Sequence, residues 1–196
     1  MSFSVLFVCT GNICRSPAAE LLFRDRVGGV PAGLSIAVSS AGTHGLSGHD
    51  VDAPTAYALR ERGLDPSPHA ARRLSAAMTA AADLVLTADS AQRSIVLHDL
   101  PLAFRRTFTM REFARLGADL PALAEISEDS LRARVAQVAD QRGVVEAGLP
   151  GADEIGDPHG AGQDVARSTV TRIAATVDAI VHALGLRVAA AAAPTG

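Results

Sequence analysis

A cysteine and an arginine near the start of the chain stand at a spacing that suits phosphoryl chemistry. The short apolar run 5–8 leads into the segment Cys9–Pro17, which reads CTGNICRSP. Backbone N–H groups wrapped around one point, together with the free donors of a following helix, can bind a tetrahedral oxyanion. Arg15 adds a planar fork that matches two phosphate oxygens. The predicted phosphate-binding residues are Thr10, Gly11, Asn12, Ile13, Cys14, Arg15 and Ser16.

Cys9 opens this loop and is the predicted nucleophile. The field that binds an oxyanion also stabilises a thiolate, which is the reactive form of cysteine. Two other interpretations of Cys9 exist. A cysteine after an apolar strand is often only a buried core residue. A metal site would need more ligands, but Cys9 and Cys14 have no second cysteine pair and no histidine close in sequence, so no metal is predicted.

The elements around the loop follow a strand and helix alternation. Ser16 is predicted to cap the first helix, with Pro17 at its first helical position and the helix ending before Gly28. Alternating strands and helices indicate a three-layer α/β/α domain with a central parallel four-stranded sheet, in which ligands bind beyond the carboxyl ends of the strands. The strands are predicted at 5–8, 34–40, 83–87 and 106–110, and the later helices at 53–62, 90–97, 131–141 and 165–184.

Composition excludes several classes of function. The net charge of −3, the single Tyr and the absence of Trp argue against nucleic-acid binding. All 18 basic residues are Arg, which excludes a Lys Schiff base and a Walker-type nucleotide loop. The first apolar run is too short for a signal peptide or a membrane span, and two cysteines suit a reducing compartment, so a cytoplasmic protein without membrane contact is expected. We expect one domain over 1–187 and a frayed Ala-rich tail over 188–196.

The segment Cys9–Pro17 resembles the signature loop of the low-molecular-weight protein tyrosine phosphatases, a Cys-x5-Arg-Ser loop that follows the first strand. The larger cysteine phosphatases normally carry His before the cysteine, where this chain has Val8. The resemblance implies the flavodoxin-like architecture of the small family and a phosphocysteine intermediate. It also implies a phosphorylated protein as substrate, phosphotyrosine above all, and no cofactor. The oligomeric state does not follow from it.

The resemblance also implies roles for residues outside the loop. Transfer needs a carboxylic acid to protonate the leaving oxygen, and the family uses an Asp-Pro late in the chain. Asp157-Pro158 has that position, whereas Asp65-Pro66 is the weaker candidate. Ser40 and His69 are implied to hydrogen-bond Asn12 and hold its strained backbone, although a turn serine and a surface histidine are equally compatible with the sequence. Cys14 is implied to form a reversible disulfide with Cys9, or it is only a small buried support.

Three alternatives to a tyrosine phosphatase remain. Arsenate reductases of this fold relay electrons through further cysteines, but this chain has only two. Arginine phosphatases of the family typically have Thr where this chain has Ile13. A phosphate-binding module without turnover is disfavoured by the presence of nucleophile, clamp and acid together. Family members also commonly have aromatic residues after the Asp-Pro, whereas His159 follows here, so strong phosphotyrosine selectivity is not expected.

Overall fold

Four parallel strands form the centre of the computed structural model, which describes residues 2–30 and 33–186. The strands lie in the order β2-β1-β3-β4, and β1 pairs along its whole length with β2, from Phe3 opposite Ile36 to Cys9 opposite Gly42. Both faces of the sheet are covered, which suits the continuous apolar runs of its central strands. The strands are β1 Phe3–Cys9, β2 Ile36–Gly42, β3 Leu84–Thr87 and β4 Thr107–Thr109.

Helices cover the two faces of the sheet unequally. Alternate residues of β1 point to opposite faces: Phe7 packs in the larger core with α1 and α7, and Leu6 packs in the smaller core with α4. The three-layer arrangement with a parallel sheet is therefore confirmed. The helices are α1 Arg15–Val27, α2 Ala53–Arg60, α3 Ala76–Ala81, α4 Ser90–Asp99, α5 Met110–Leu116, α6 Glu128–Asp140 and α7 Gln163–Ala183.

The predicted cap of the first helix is wrong. Cys14, not Ser16, precedes α1, and no side chain caps it. Ser16 lies fully buried inside the first turn, where its hydroxyl oxygen is 3.0 Å from the Cys9 Sγ. The Ser-Pro pattern is typical of a helix start, but here the Ser16 hydroxyl contacts the Cys9 sulfur and does not cap the helix. Sequence periodicity also missed the short helices α3 and α5 and a 3₁₀ turn over Pro101–Arg106.

Two further predictions from the sequence concern the C-terminal tail and the membrane. The predicted tail over 188–196 lies outside the described residues. No helix in the described part of the chain combines the length and the apolar character that crossing a membrane requires.

Helix α6 corresponds to the helix predicted over 131–141, and a buried arginine attaches it to α7. Arg134 is 2 % exposed, and its guanidinium donates to the carbonyl oxygens of Ala183 at 3.2 Å and Pro121 at 2.5 Å. Ala183 is the last residue of α7, so the positive charge faces the negative end of the helix dipole. Burial lowers the pKa of the Arg134 guanidinium. The carbonyl contacts allow this side chain to occupy the core.

Arg134→Ala should lower the free energy of unfolding by about 2–4 kcal/mol, because it removes core packing and leaves buried carbonyl groups without a donor. Urea denaturation followed by circular dichroism measures this. The matched control is Arg105→Ala, which removes an exposed ion pair with Asp140 and should cost less than about 1 kcal/mol. Equal losses in the two variants would contradict the structural role given to Arg134.

Candidate active site

The loop between β1 and α1 has its carbonyl groups turned outward. Cys9, Thr10 and Gly11 each accept a hydrogen bond from a backbone N–H of the segment 43–46, at 2.9 to 3.0 Å. The carbonyl of Ile13 accepts from the N–H of Asp52 at 2.8 Å. Because a peptide N–H points away from its C=O, this pattern turns amide donors toward the inside of the loop. The Asn12 N–H accordingly lies 3.3 Å from the Cys9 Sγ.

Asn12 fixes the turn in this loop. Its φ of 57° lies in the left-handed region, which costs an ordinary residue about 1–2 kcal/mol. The side-chain amide nitrogen donates to Ser16 Oγ at 2.9 Å and to Ser40 Oγ at 2.8 Å, and its oxygen accepts from the Arg72 N–H at 2.9 Å. His69 Nε2 lies 2.8 Å from the Asn12 carbonyl oxygen. These contacts stabilise the strained conformation, and Ser40 and His69 are both among them.

A carboxylate that sequence reasoning missed orients this network. Ser40 Oγ donates to Glu20 Oε2 at 2.5 Å, so its oxygen is available to accept from Asn12. Asn12 also donates to Ser16 Oγ, so the Ser16 hydroxyl hydrogen is available to the Cys9 sulfur at 3.0 Å or to the Ala41 carbonyl oxygen at 3.4 Å. The only sequence signal for Glu20 was its position one helical turn after Ser16.

Two glycines allow backbone segments around the loop to approach one another closely. A Cβ added at Gly42 would overlap the carbonyl oxygen of Thr10, and one added at Gly45 would overlap the carbonyl of Arg72. Neither glycine has a positive φ, so the requirement is for space and not for backbone freedom. The loop is therefore pressed directly against the chain that follows β2.

Arg15 is buried, with 3 % of the residue exposed. One terminal nitrogen donates to Asp89 Oδ2 and to the Ile155 carbonyl oxygen, both at 3.0 Å. The other donates to Asp157 Oδ2 at 2.7 Å and to Thr10 Oγ1 at 3.4 Å. The guanidinium thus joins the loop to two segments that are distant in sequence.

Asp89 and Gln92 form a second support that the sequence analysis did not identify. Asp89 caps α4, and Gln92 completes a reciprocal capping box with it. Gln92 Nε2 also donates to Thr10 Oγ1 at 3.1 Å, so the start of α4 is attached to the loop between β1 and α1. An Asp that follows a strand and precedes a helix is ordinarily only a cap. The contact of Asp89 with Arg15 could therefore not be predicted from the sequence.

The structure brings Asp157, and not Asp65, to Cys9. Asp157 lines the same cleft as Cys9, and its side chain is 47 % exposed toward that cleft. The preceding Ile155 is buried and donates from its N–H to the Ala88 carbonyl at 2.9 Å, which fixes the segment. Asp65 lies along a different cleft, where hydrogen bonds from Ser67 lower the pKa of its carboxyl group.

The cleft that contains Cys9 has a volume of about 280 Å³, and both apolar and polar side chains form its walls. Leu46 supplies an apolar surface that is 43 % exposed, and His44 and His159 stand at the mouth. None of the described lining residues is Phe, Tyr or Trp, in agreement with the missing aromatic residue after Asp157-Pro158. The lining residues are Cys9, Thr10, Gly11, Ile13, Cys14, His44, Leu46, Asp157 and His159.

Cys9 and Cys14 are both buried free thiols in this structure. Burial raises the pKa of the Cys14 thiol to about 12, and the nearby carboxylates of Asp52 and Asp157 act in the same direction. Cys14 is therefore a neutral thiol at pH 7. Its proposed disulfide with Cys9 remains an expectation from the resemblance.

Exchanging Asn12 for Gly and for Ala should separate backbone strain from side-chain hydrogen bonding. Both variants lose the side-chain bonds, but only Ala keeps the cost of a left-handed backbone, which is about 1 kcal/mol. Asn12→Ala should therefore be less stable than Asn12→Gly by about that amount in urea denaturation. Equal stability would mean that the strained turn relaxes once the side chain is removed.

Comparisons with known proteins agree with this architecture. The sequence model described as "Low molecular weight phosphotyrosine protein phosphatase" matches residues 4–140. The Etp phosphatase of Escherichia coli K12 is 46 % identical over 87 residues, which cover 44 % of this chain and 55 % of Etp. The chain thus matches about half the length of that curated relative. A protein-arginine-phosphatase of Geobacillus stearothermophilus is 33 % identical over 114 residues, covering 58 % of this chain and 72 % of the relative.

Solved structures share the fold over nearly the whole chain. The tyrosine phosphatase Wzb of Escherichia coli K30 superposes with a TM-score of 0.68 at 22 % identity, over 94 % of this chain and 100 % of Wzb. The family match ends before Asp157, so the position of this carboxylate beside Arg15 is information that the structure adds. With a match over most of its length and the family's fold, the chain belongs to the low-molecular-weight phosphotyrosine protein phosphatase family.

Proposed function

We propose that the chain is a cysteine-dependent phosphatase that hydrolyses phosphomonoesters on proteins, phosphotyrosine above all, through a phosphocysteine intermediate. The observation that carries this proposal is that Cys9, the Arg15-bound Asp157 and the phosphate-binding loop share one cleft. Family membership supports the same activity. A binding module without turnover would not need a carboxylate beside the nucleophile.

In the first step, the Cys9 thiolate attacks phosphorus in line with the leaving oxygen. The loop amides and Arg15 hold the equatorial phosphate oxygens, where charge-assisted hydrogen bonds are strongest. A phosphate oxygen that reaches the guanidinium competes with Asp157 for the same nitrogen. The Asp157 carboxyl then protonates the leaving oxygen, and a phosphocysteine remains.

In the second step, the same carboxyl group works in reverse. Asp157 is now a carboxylate and takes a proton from a water molecule that attacks the phosphocysteine. Phosphate leaves, and the Cys9 thiolate is restored with the Ser16 hydroxyl as its hydrogen-bond donor. Every proton in this cycle passes through groups of the chain, which supports a phosphatase without a cofactor.

The substrate class follows from the cleft and from one loop residue. Ile13 favours phosphotyrosine over phosphoarginine, the substrate class named for the Geobacillus relative. The absence of aromatic side chains among the described lining residues favours broad acceptance of aryl phosphates over strict selectivity. Two free cysteines suit a reducing compartment, and we place the protein and its phosphoprotein substrate in the cytoplasm.

The purified protein should hydrolyse aryl phosphates and phosphotyrosine peptides faster than phosphoserine or phosphoarginine peptides. Vanadate should block this activity, and chelators should not lower it. Cys9→Ser should abolish turnover because its hydroxyl is not ionised at neutral pH, while phosphate binding persists. Steady-state assays on matched peptides measure the preference. Retained turnover in Cys9→Ser would refute the nucleophile, and faster hydrolysis of phosphoarginine would refute the substrate class.

Asp157→Asn should lower kcat by about 10²–10⁴-fold on substrates with poor leaving groups. The loss should be much smaller on activated aryl phosphates, which need little protonation. Asp65→Asn is the matched control, since this carboxyl group lies in another cleft, and it should leave kcat unchanged. The measurement is kcat of each variant on a series of aryl phosphates whose leaving groups differ in pKa. A sensitive Asp65 with a silent Asp157 would assign the acid to the earlier Asp-Pro.

A further inference from the structure

Three metal-binding side chains meet beside the catalytic cleft, and the proposed cycle uses none of them. The Cys14 sulfur, an Asp52 carboxylate oxygen and a His159 ring nitrogen all lie within 4.8 Å of one another. They come from three separate segments: the residue before α1, the residue before α2 and the loop before α7. Their convergence is therefore a property of the fold that sequence spacing could not reveal.

The Asp52 carboxylate has a conformation that its position in the helix does not explain. Asp52 is the N-cap of α2, yet its side chain makes no capping hydrogen bond. One oxygen lies 3.3 Å from His159 Nδ1, and the other is buried without a hydrogen-bond partner among the described residues. An unpaired buried carboxylate oxygen is costly, so the site favours a cationic ligand.

The donor set and its spacing fit a tetrahedral zinc ion. Thiolate, imidazole and carboxylate are the ligands of protein zinc sites, whereas Mg²⁺ and Ca²⁺ prefer oxygen alone. With ordinary zinc-ligand bond lengths, tetrahedral nitrogen and oxygen ligands lie about 3.3 Å apart, which is the separation of His159 Nδ1 and the Asp52 oxygen. The sulfur needs to approach by at most about 1.2 Å to reach a tetrahedral position.

We propose that Cys14, Asp52 and His159 form an inhibitory binding site for Zn²⁺ at the mouth of the catalytic cleft. Binding forms a bond from the Cys14 sulfur to the metal and releases the thiol proton to water, without any change of oxidation state. Three protein ligands leave the fourth position to water. Cys14, Asp52 and His159 are far apart in the sequence and match no common spacing of zinc ligands, which is why no metal was predicted from the residues alone.

The inhibitory effect rests on the proposed phosphatase function. His159 lies two residues after Asp157, and its N–H donates to Asp157 Oδ1 at 3.2 Å. A metal that joins His159 to the start of α2 restrains the segment that carries the proposed acid. It also occupies the side of the cleft where the leaving group must stand, since His159 and Cys14 both line this cleft.

Cobalt binding to Cys9→Ser protein tests the site without any turnover. Co²⁺ replaces Zn²⁺ and gives a thiolate-to-metal absorption band in the near ultraviolet, and only Cys14 can supply that thiolate in this variant. The band should appear in Cys9→Ser and vanish when Cys14→Ser is added. His159→Phe in the same background should weaken cobalt binding at least tenfold. The matched control, His44→Phe, changes the other histidine at the cleft mouth and should leave binding unchanged.

Zinc inhibition of the protein with Cys9 intact tests the regulatory half of the proposal. His159→Phe should raise the Zn²⁺ concentration for half inhibition at least tenfold, relative to the metal-free rate of each variant, and His44→Phe should not. An absent cobalt band in Cys9→Ser, or binding unaffected by His159→Phe, would overturn the site. A cobalt band without zinc inhibition of an active enzyme would overturn the inhibition. An inactive protein that still binds cobalt would overturn the phosphatase assignment and leave the metal site standing.

Discussion

The left-handed backbone of Asn12 is the constraint on which the geometry of the candidate active site depends. It allows the loop to turn its carbonyl groups outward and its amides inward within a few residues. Such a turn is strained, and hydrogen bonds from several elements to the Asn12 side chain and carbonyl offset the cost. The anion-binding geometry is therefore held by contacts that never reach the substrate, and Glu20 and Arg72 belong to that support as much as Ser40 does.

Arg15 joins segments of the site that are distant in the sequence. A single buried guanidinium contacts the cap of α4 through Asp89, and it contacts the segment before α7 through Ile155 and Asp157. The proposed acid is thus positioned by the residue that is also the proposed phosphate clamp. The two proposed roles share one set of hydrogen bonds, so the position of Asp157 and that of the loop are not independent. A displaced Arg15 would disturb both.

Local chemistry was predictable from the sequence, and long-range chemistry was not. The Cys-x5-Arg spacing identifies the loop because the residues that bind one anion are contiguous, and the strand and helix alternation predicts the sheet. Asp89 escaped notice because an Asp before a helix is ordinarily a cap, and it is one here as well. Ser16 was predicted to cap α1, because its contact with the Cys9 sulfur becomes visible only in the folded loop. The meeting of Cys14, Asp52 and His159 depends on three loops whose relative placement only the packed fold determines.

The close approach at Gly42 and Gly45 bears on how this protein can be changed. Any larger residue at either position would collide with backbone, which cannot rotate away as a side chain can. The walls of the cleft are different, because the side chains of Leu46 and His159 are partly exposed. Laboratory evolution of new substrate preferences therefore cannot use substitutions at Gly42 or Gly45, whereas Leu46 and His159 can be varied. A mutant library is best confined to such exposed positions of the cleft wall.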